Sequence, residues 1–241
     1  MAGITDGNFC KKLANYGFDV LTIGGYNLDK KTIEAGQKII QRGRPEFDIN
    51  EENIISAIEN EANIIKNSWD GIVSVNLRAT SPKSIVEISK LPQIDIVEIN
   101  AHCRQPELTD IGCGQALLYD MDILYDFIKN VVKKAESKVS VKIRANIENV
   151  DDIEVSKVIE EAGAQFLHLD AMKPGYNYAD YGLVKSIKEN TEIFLIGNNS
   201  IRDLESARKM ISAGADGISI ARAAMNGKIP FDLKRLTYEN F

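Results

Sequence analysis

One recurrence narrows the possible folds more than any other feature of the chain. Short runs rich in β-branched and apolar residues alternate with amphipathic stretches from end to end. The runs cover residues 20–23, 72–77, 94–99, 139–143, 166–169, 193–196 and 218–220. Read as strands, they are apolar nearly throughout rather than cleanly alternating, as expected of parallel strands covered by helices. Between them, Ile54, Ile58, Ala62 and Ile65 fall at i, i+4, i+8 and i+11, one face of a helix. Residues 151–162 and 202–213 repeat that pattern.

The punctuation agrees. AGAQFLHL from Ala162 and AGADGISI from Ala213 each place a glycine where a helix would end and a strand begin. Glycine accepts the left-handed conformation of a helix C-terminus. Tyr16-Gly17-Phe18-Asp19 has the same shape before the first run. Strands alternating with helices leave two architectures, a doubly wound sheet or an eight-stranded βα barrel. No Gly-x-Gly-x-x-Gly follows the first run, so the dinucleotide fingerprint is missing. The sequence therefore predicts an α/β fold, a (β/α)8 TIM barrel over a single domain, residues 1–241. Its first strand is truncated or short, because only Met1-Ala2-Gly3 is available for it.

The length of 241 residues suits one barrel. The 29 basic against 35 acidic residues give a net charge of −6, which disfavours non-specific attraction to phosphate backbones. Cys10, Cys103 and Cys113 are too few and too scattered for a disulfide framework or a zinc knuckle, and no metal site is expected. No basic, apolar leader opens the chain and no apolar run is long enough to span a bilayer, so a soluble cytoplasmic protein without membrane contact is expected.

In a βα barrel the chemistry gathers at the C-terminal ends of the strands. That rule selects Asn100, His102, Cys103 and Arg104, then Lys142 and Arg144, then His168 and Asp170. After the last two runs it selects Gly197-Asn198-Asn199-Ser200 and Ala221-Arg222-Ala223. Both histidines of the chain fall at strand ends. The last two segments read either as a phosphate cradle, with backbone N–H groups and a helix dipole facing the anion, or as a tight turn with Ser200 capping the next helix. Lys142 is either a cation held in the barrel mouth or a lysine that snorkels to solvent. Cys103 is either a proton donor or nucleophile, or an inert packed thiol, and Cys10 and Cys113 read as packing residues. His102 alternates with Cys103 in an extended segment, which assigns it to the rim or to a structural role.

Taken in order, these pieces resemble the FMN-dependent tRNA-dihydrouridine synthases and, more distantly, the dihydroorotate dehydrogenases. Met1-Ala2-Gly3-Ile4-Thr5-Asp6 is similar to the end of their A-P-M-A-G-V-T-D opening. Asn100-Ala101-His102-Cys103 with Gly112-Cys113-Gly114-Gln115-Ala116-Leu117-Leu118 resembles N-x-G-C-P followed by G-x-G-x-x-L-L. Val141-Lys142-Ile143-Arg144 is their V-K-I-R. His168-Leu169-Asp170 with Tyr178-Ala179-Asp180-Tyr181 resembles H-G-R and Y…A-D-W. Gly197-Asn198-Asn199-Ser200-Ile201 and Asp216-Gly217-Ile218-Ser219-Ile220-Ala221-Arg222 resemble G-N-G-D-I and D-G-V-M-I-G-R.

The resemblance implies FMN at the C-terminal mouth of the barrel. Met1, Ala2, Gly3, Asn76, Lys142 and His168 would contact the cofactor, and Gly197, Asn198, Asn199, Ala221 and Arg222 would hold its phosphate. Asn100, Arg104 and Arg144 would meet the substrate. Cys103 would protonate C5 of a uracil-type ring while flavin N5 delivers hydride to C6, with NAD(P)H reducing the flavin. The departures are local. Gly-Cys-Pro is His102-Cys103-Arg104 here, the arginine of H-G-R is Asp170, and Ala221 stands for a glycine. Little chain follows Met225, so the family's helical RNA-binding domain is not expected, and either the natural start lies upstream or the barrel closes around a stunted first strand. Three functions follow: reduction of uridine in tRNA, action on a free pyrimidine or other enone, and a non-catalytic barrel that binds FMN or phosphate.

Overall fold

The computed structural model describes residues 1–236; residues 237–241 of the expected domain lie outside the described residues. Seven parallel strands form one sheet in the order β1 to β7. They are β1 Val20–Asn27, β2 Ile72–Arg78, β3 Ile96–Ala101, β4 Lys138–Arg144, β5 Phe166–Asp170, β6 Phe194–Asn198 and β7 Gly217–Ile218. The helices are α1 Gly7–Leu13, α2 Lys30–Gln41, α3 Ile54–Lys66, α4 Pro82–Ser89, α5 Pro106–Thr109, α6 Met121–Val132, α7 Asp152–Glu161, α8 Tyr181–Asn190 and α9 Leu204–Ser212. This is the expected β/α barrel, curled but open between β1 and β7, which do not pair among the described residues. Residues 1–4 make a turn rather than a strand, with Ile4 N and Thr5 N both donating to Met1 O at 3.0 Å.

Local sequence accounts for the element ends. α3 buries Ile54, Ile58, Ala62 and Ile65, the face predicted from spacing. Gly163 (φ 95°) and Gly214 (φ 105°) follow α7 and α9 in the left-handed conformation. Ala164 N reaches Ile159 O and Ala215 N reaches Met210 O, each at 3.3 Å, which closes the last helical turn. Asp151 and Asp203 cap α7 and α9 through their carboxylates. Ser200 does not cap the helix after β6, because that helix begins at Leu204.

The strands correct the reading of uniformly apolar runs. Val73, Val75 and Leu77 of β2, Val97 and Ile99 of β3, and Val139, Val141 and Ile143 of β4 face the helices and are buried. The alternate positions Ser74, Asn76, Arg78, Glu98, Asn100, Ser140, Lys142, Arg144, His168 and Asp170 carry polar groups on the other face, the inside of the barrel. Register aligns them: Asn76 pairs with Glu98 and Glu98 with Ser140, while Asn100, Lys142 and His168 form the next row. The apolar face against the helices supplies the core, at about 1.5–3 kcal/mol for each fully buried aliphatic side chain.

The loop after α2 folds over the ends of β1 and β2. Phe47 packs on Tyr26 with ring centroids 4.4 Å apart. Glu46 forms an ion pair with Arg78, whose Nη2 also donates to Gly25 O at 2.6 Å. The Arg78 and Glu46 side chains are 2% and 1% exposed. A buried arginine left without its carboxylate is strongly destabilising. Glu46→Gln is therefore expected to cost about 3–5 kcal/mol in chemical denaturation, whereas a loss below about 1 kcal/mol would contradict this clamp.

Candidate active site

Glu98 lies at the centre of the polar interior, and both its oxygens are engaged. Asn76 Nδ2 donates to Oε1 at 2.7 Å. Ser140 Oγ and His168 Nδ1 reach Oε2 at 3.2 and 2.7 Å. Burial alone would raise the carboxyl's pKa, but His168, Lys142 and Asn76 outweigh it and hold Glu98 well below the usual carboxylate range. Glu98 is therefore ionised, which places the hydrogen of His168 on Nδ1 and the lone pair on Nε2. Burial, with Lys142 second, lowers the His168 pKa and favours this neutral form.

Two donors compete for that lone pair. Ser219 Oγ lies 2.7 Å from His168 Nε2 and itself accepts from Asn198 Nδ2 at 2.7 Å. Lys142 Nζ lies 3.2 Å from the same nitrogen. One lone pair takes one full hydrogen bond, so the shorter serine contact leaves Lys142 with N–H groups to offer a ligand. Lys142 is half-buried at the mouth rather than extended into solvent. The Met1 amino group reaches Thr5 Oγ1 at 2.6 Å and Gly24 O at 3.0 Å. Gly3 (φ 68°) turns beneath the Glu46 loop, where a Cβ would strike Pro45 and Glu46.

A second cluster sits two residues further along β5, on Asp170. Asp170 Oδ2 takes His102 Nε2 at 2.7 Å and Arg144 Nη1 at 3.3 Å, and Oδ1 takes Asn199 Nδ2 at 2.6 Å. Burial pushes the Asp170 carboxyl up, but His102, Asn199 and Arg144 bring it well below its ordinary value. Asn199 (φ 99°) and Ser200 (φ 54°) both hold positive φ, and Ser200 Oγ bonds Asn199 Oδ1 at 2.7 Å.

The loops after β6 and β7 face each other. Among the described residues, the backbone N–H groups of Ser200, Ile201, Ala221 and Arg222 make no hydrogen bond. Four unpaired donors on adjacent loops fit an anionic phosphate. The dipole of α9 adds little there, because Asp203 already occupies its N-terminus through Ser206 N at 2.8 Å. Gly197 is buried within β6, where a Cβ would collide with Met210 of α9, so it is required for packing. The Arg222 side chain is exposed.

Cys103 follows β3 in a turn fastened by Asn100, whose Oδ1 accepts from His102 N at 3.1 Å and Cys103 N at 2.9 Å. Asn100 Nδ2 donates to Asn76 Oδ1 at 2.7 Å, which ties this turn to the Glu98 layer. The Cys103 side chain, however, packs against the cluster of Ala35, Ile39, Leu108 and Cys113, and makes no hydrogen bond to Lys142 or His168. Arg104 is exposed. Cys10 and Cys113 are buried, and burial pushes both thiols up to about 12, as befits packing residues.

Sequence reasoning missed Glu98, Ser140 and Ser219. The signal was a period-two pattern, Ser140-Val141-Lys142-Ile143-Arg144 and Glu98-Ile99-Asn100, inside runs read as simply apolar. Among the described residues there is no cluster of three or more His, Cys, Asp or Glu able to hold a metal, and no helix long and apolar enough to cross a membrane.

Comparisons with known proteins converge. The dihydrouridine synthase family model matches residues 49–236. An uncharacterized protein of Methanocaldococcus jannaschii is 37% identical over 249 residues, covering 100% of this chain and 92% of that protein. The tRNA-dihydrouridine synthase B of Pseudomonas syringae pv. tomato is 33% identical over 135 residues, 54% of this chain and 40% of that protein. That of Vibrio parahaemolyticus is 24% identical over 93% of this chain and 66% of its own length. The chain thus spans only 40% and 66% of these two synthases. Among solved structures, the FabK (M276A) mutant from Thermotoga maritima shares the fold, with a TM-score of 0.53 at 15% identity, covering 90% of this chain and 56% of that one.

The electrostatics of the buried layer give a signed expectation. An unfolded glutamate titrates near about 4.3, whereas folded Glu98 holds its charge to lower pH. Its contribution is complete above the unfolded value and is lost as pH falls through the acid range. His168, lowered by burial, acts in the same direction. Glu98→Gln should therefore flatten the acid limb of stability against pH; parallel wild-type and variant curves would remove Glu98 from the account.

Proposed function

The chain belongs to the dihydrouridine synthase family, and from that premise we propose that it is an FMN-dependent oxidoreductase acting on the C5=C6 bond of a uracil-type ring. The observation that carries the reading is the conjunction at the mouth. A lysine ammonium with spare donors stands over a buried, neutral histidine, beside two loops with unpaired backbone N–H groups. That donor set fits an anionic ring joined to a phosphate. Ser200, Ile201, Ala221 and Arg222 would take the phosphate through their backbones. Lys142 would stabilise negative charge on the isoalloxazine ring, and His168, fixed by Glu98, would set the position of Lys142.

Bound FMN would supply the hydride exchanged with C6 of the ring, and NAD(P)H is the proposed reductant. The chain's own work is proton transfer and orientation. Cys103 would hold the proton for C5 on Sγ, its turn fixed by Asn100 and, through Asn76, by Glu98. To do so the thiol would have to leave the apolar cluster it packs against and face the mouth. Arg144 and Asn100 would line the substrate side, and Arg104 would meet the substrate from the rim. The named synthases support uridine in tRNA as the carrier of the ring, while the net charge of −6 favours a free pyrimidine.

Purified protein soaked with FMN and desalted is expected to retain the yellow flavin band. Lys142→Met should weaken FMN binding about tenfold or more, as loss of a charge-assisted hydrogen bond implies. Cys103→Ala should keep the band but lower turnover of a uracil-type substrate by about 10²–10⁴. A colourless wild-type protein would end the oxidoreductase reading. Retention of tRNA in a gel shift at moderate salt would assign the ring to RNA, and loss of that shift with turnover of free nucleotide would assign it to a small molecule.

A further inference from the structure

One group at the mouth presents a hydrogen-bonding atom that the fold leaves open. His102 Nε2 points at the buried carboxylate of Asp170, which also receives Asn199 and Arg144. An ionised carboxylate only accepts, so Nε2 carries the hydrogen of neutral His102 and Nδ1 carries the lone pair. Nδ1 has no hydrogen-bond partner among the described residues, and the ring is 27% exposed. Arg144 shares the same Asp170 oxygen through Nη1, and its remaining N–H groups are unpaired among the described residues. A single oxygen thus holds an acceptor, His102 Nδ1, beside a fork of donors.

We infer that His102 and Arg144, fixed by Asp170, read the imide edge of the substrate ring. His102 Nδ1 accepts the ring N–H and the Arg144 guanidinium donates to the neighbouring carbonyl oxygen. The inference rests on the proposed uracil-type substrate and adds what selects it. A cytosine-type ring presents a lone pair where the imide presents its N–H, so two acceptors would face each other and the ring is rejected. His102 and Asp170 are both departures from the family's motifs, and here they touch each other. His102 is accordingly a specificity-determining residue and Asp170 the positioning residue behind it.

The pH dependence has a fixed sign. The charged groups facing His102 are Asp170 from β5 and Lys142 and Arg144 from β4, with Arg104 and Arg222 close to Arg144. Burial holds His102 below its ordinary value against the pull of Asp170. Protonation turns Nδ1 into a donor and cancels the match. Imide binding should therefore persist through the ordinary histidine range and disappear only at lower pH.

The test uses the two histidines of the chain, which give two imidazole spin systems in a nitrogen-15 spectrum. His102→Leu removes one and assigns it. His102 is expected as the Nε2–H tautomer at neutral pH in the ligand-free protein. Its Nδ1 resonance should shift on adding uridine 5′-monophosphate and stay in place with cytidine 5′-monophosphate. Calorimetry should find uridine monophosphate binding weakened about tenfold or more in His102→Leu, with FMN retention unchanged. Asp170→Asn removes the charge that His102 and Arg144 share and should weaken the preference for the imide.

An Nδ1–H tautomer in the wild type, or a His102 signal that ignores both nucleotides in flavin-loaded protein, overturns this inference and leaves the oxidoreductase reading intact. If no flavin is retained, the oxidoreductase reading fails instead. The response of His102 to the two nucleotides in flavin-free protein then decides the inference by itself.

Discussion

The interior of this barrel depends on a charge kept out of water. Glu98 is buried on β3, and its carboxylate is satisfied by side chains from β2, β4 and β5. A buried charge is tolerable only when paired or fully hydrogen-bonded, and here the partners are also the groups that face the mouth. Burial and Lys142 keep His168 neutral, and its tautomer is defined because Glu98 accepts from Nδ1. Lys142 Nζ stands 3.2 Å from Nε2 of that histidine, on the neighbouring strand β4. Asn76, held by Glu98, holds Asn100, which holds the backbone of Cys103. One carboxylate therefore orients groups on both sides of the mouth. Removing its charge would be felt at sites with no direct contact to it.

Much of the fold was legible because it follows from local patterns. The helical face of α3, the glycine-terminated ends of α7 and α9, and strand positions within a few residues all came from spacing and left-handed glycines. The alternation inside the strands was not read, because an apolar run broken by one Glu or Lys looks apolar when judged by composition. Only pairing, which aligns Asn76 with Glu98 and Glu98 with Ser140, shows the polar positions to be one surface. Strand ends ran longer than expected in β1 to β6, β1 reaching Asn27 where the apolar run stopped at residue 23, whereas β7 stops at Ile218 short of the expected residue 220.

The site was legible as a set of positions but not as a set of contacts. Strand-end reasoning selected Lys142, His168, Asn100 and Asn198, which the structure brings into one network. It could not see that Gly197 is needed against Met210, or that Cys103 rests in an apolar cluster. Nor could it place His102. Alternation in an extended segment puts His102 and Cys103 on opposite sides, and they do take different surroundings. The side given to His102 is the Asp170 cluster, because Asn100 bends the chain there. Glu98 and Asp170 are thus two buried carboxylates with separate tasks, one organising the interior and the other the rim.

The most direct test of this account is a fluorescence titration of FMN into wild-type protein and into Glu98→Gln, with near-ultraviolet circular dichroism confirming the native fold of each. The account predicts that the wild type binds FMN stoichiometrically and that the variant, still folded, binds it about tenfold more weakly or worse, because Lys142 and His168 lose their fixed positions. Equal affinity in the two proteins would contradict the claim that the buried carboxylate sets the geometry of the mouth.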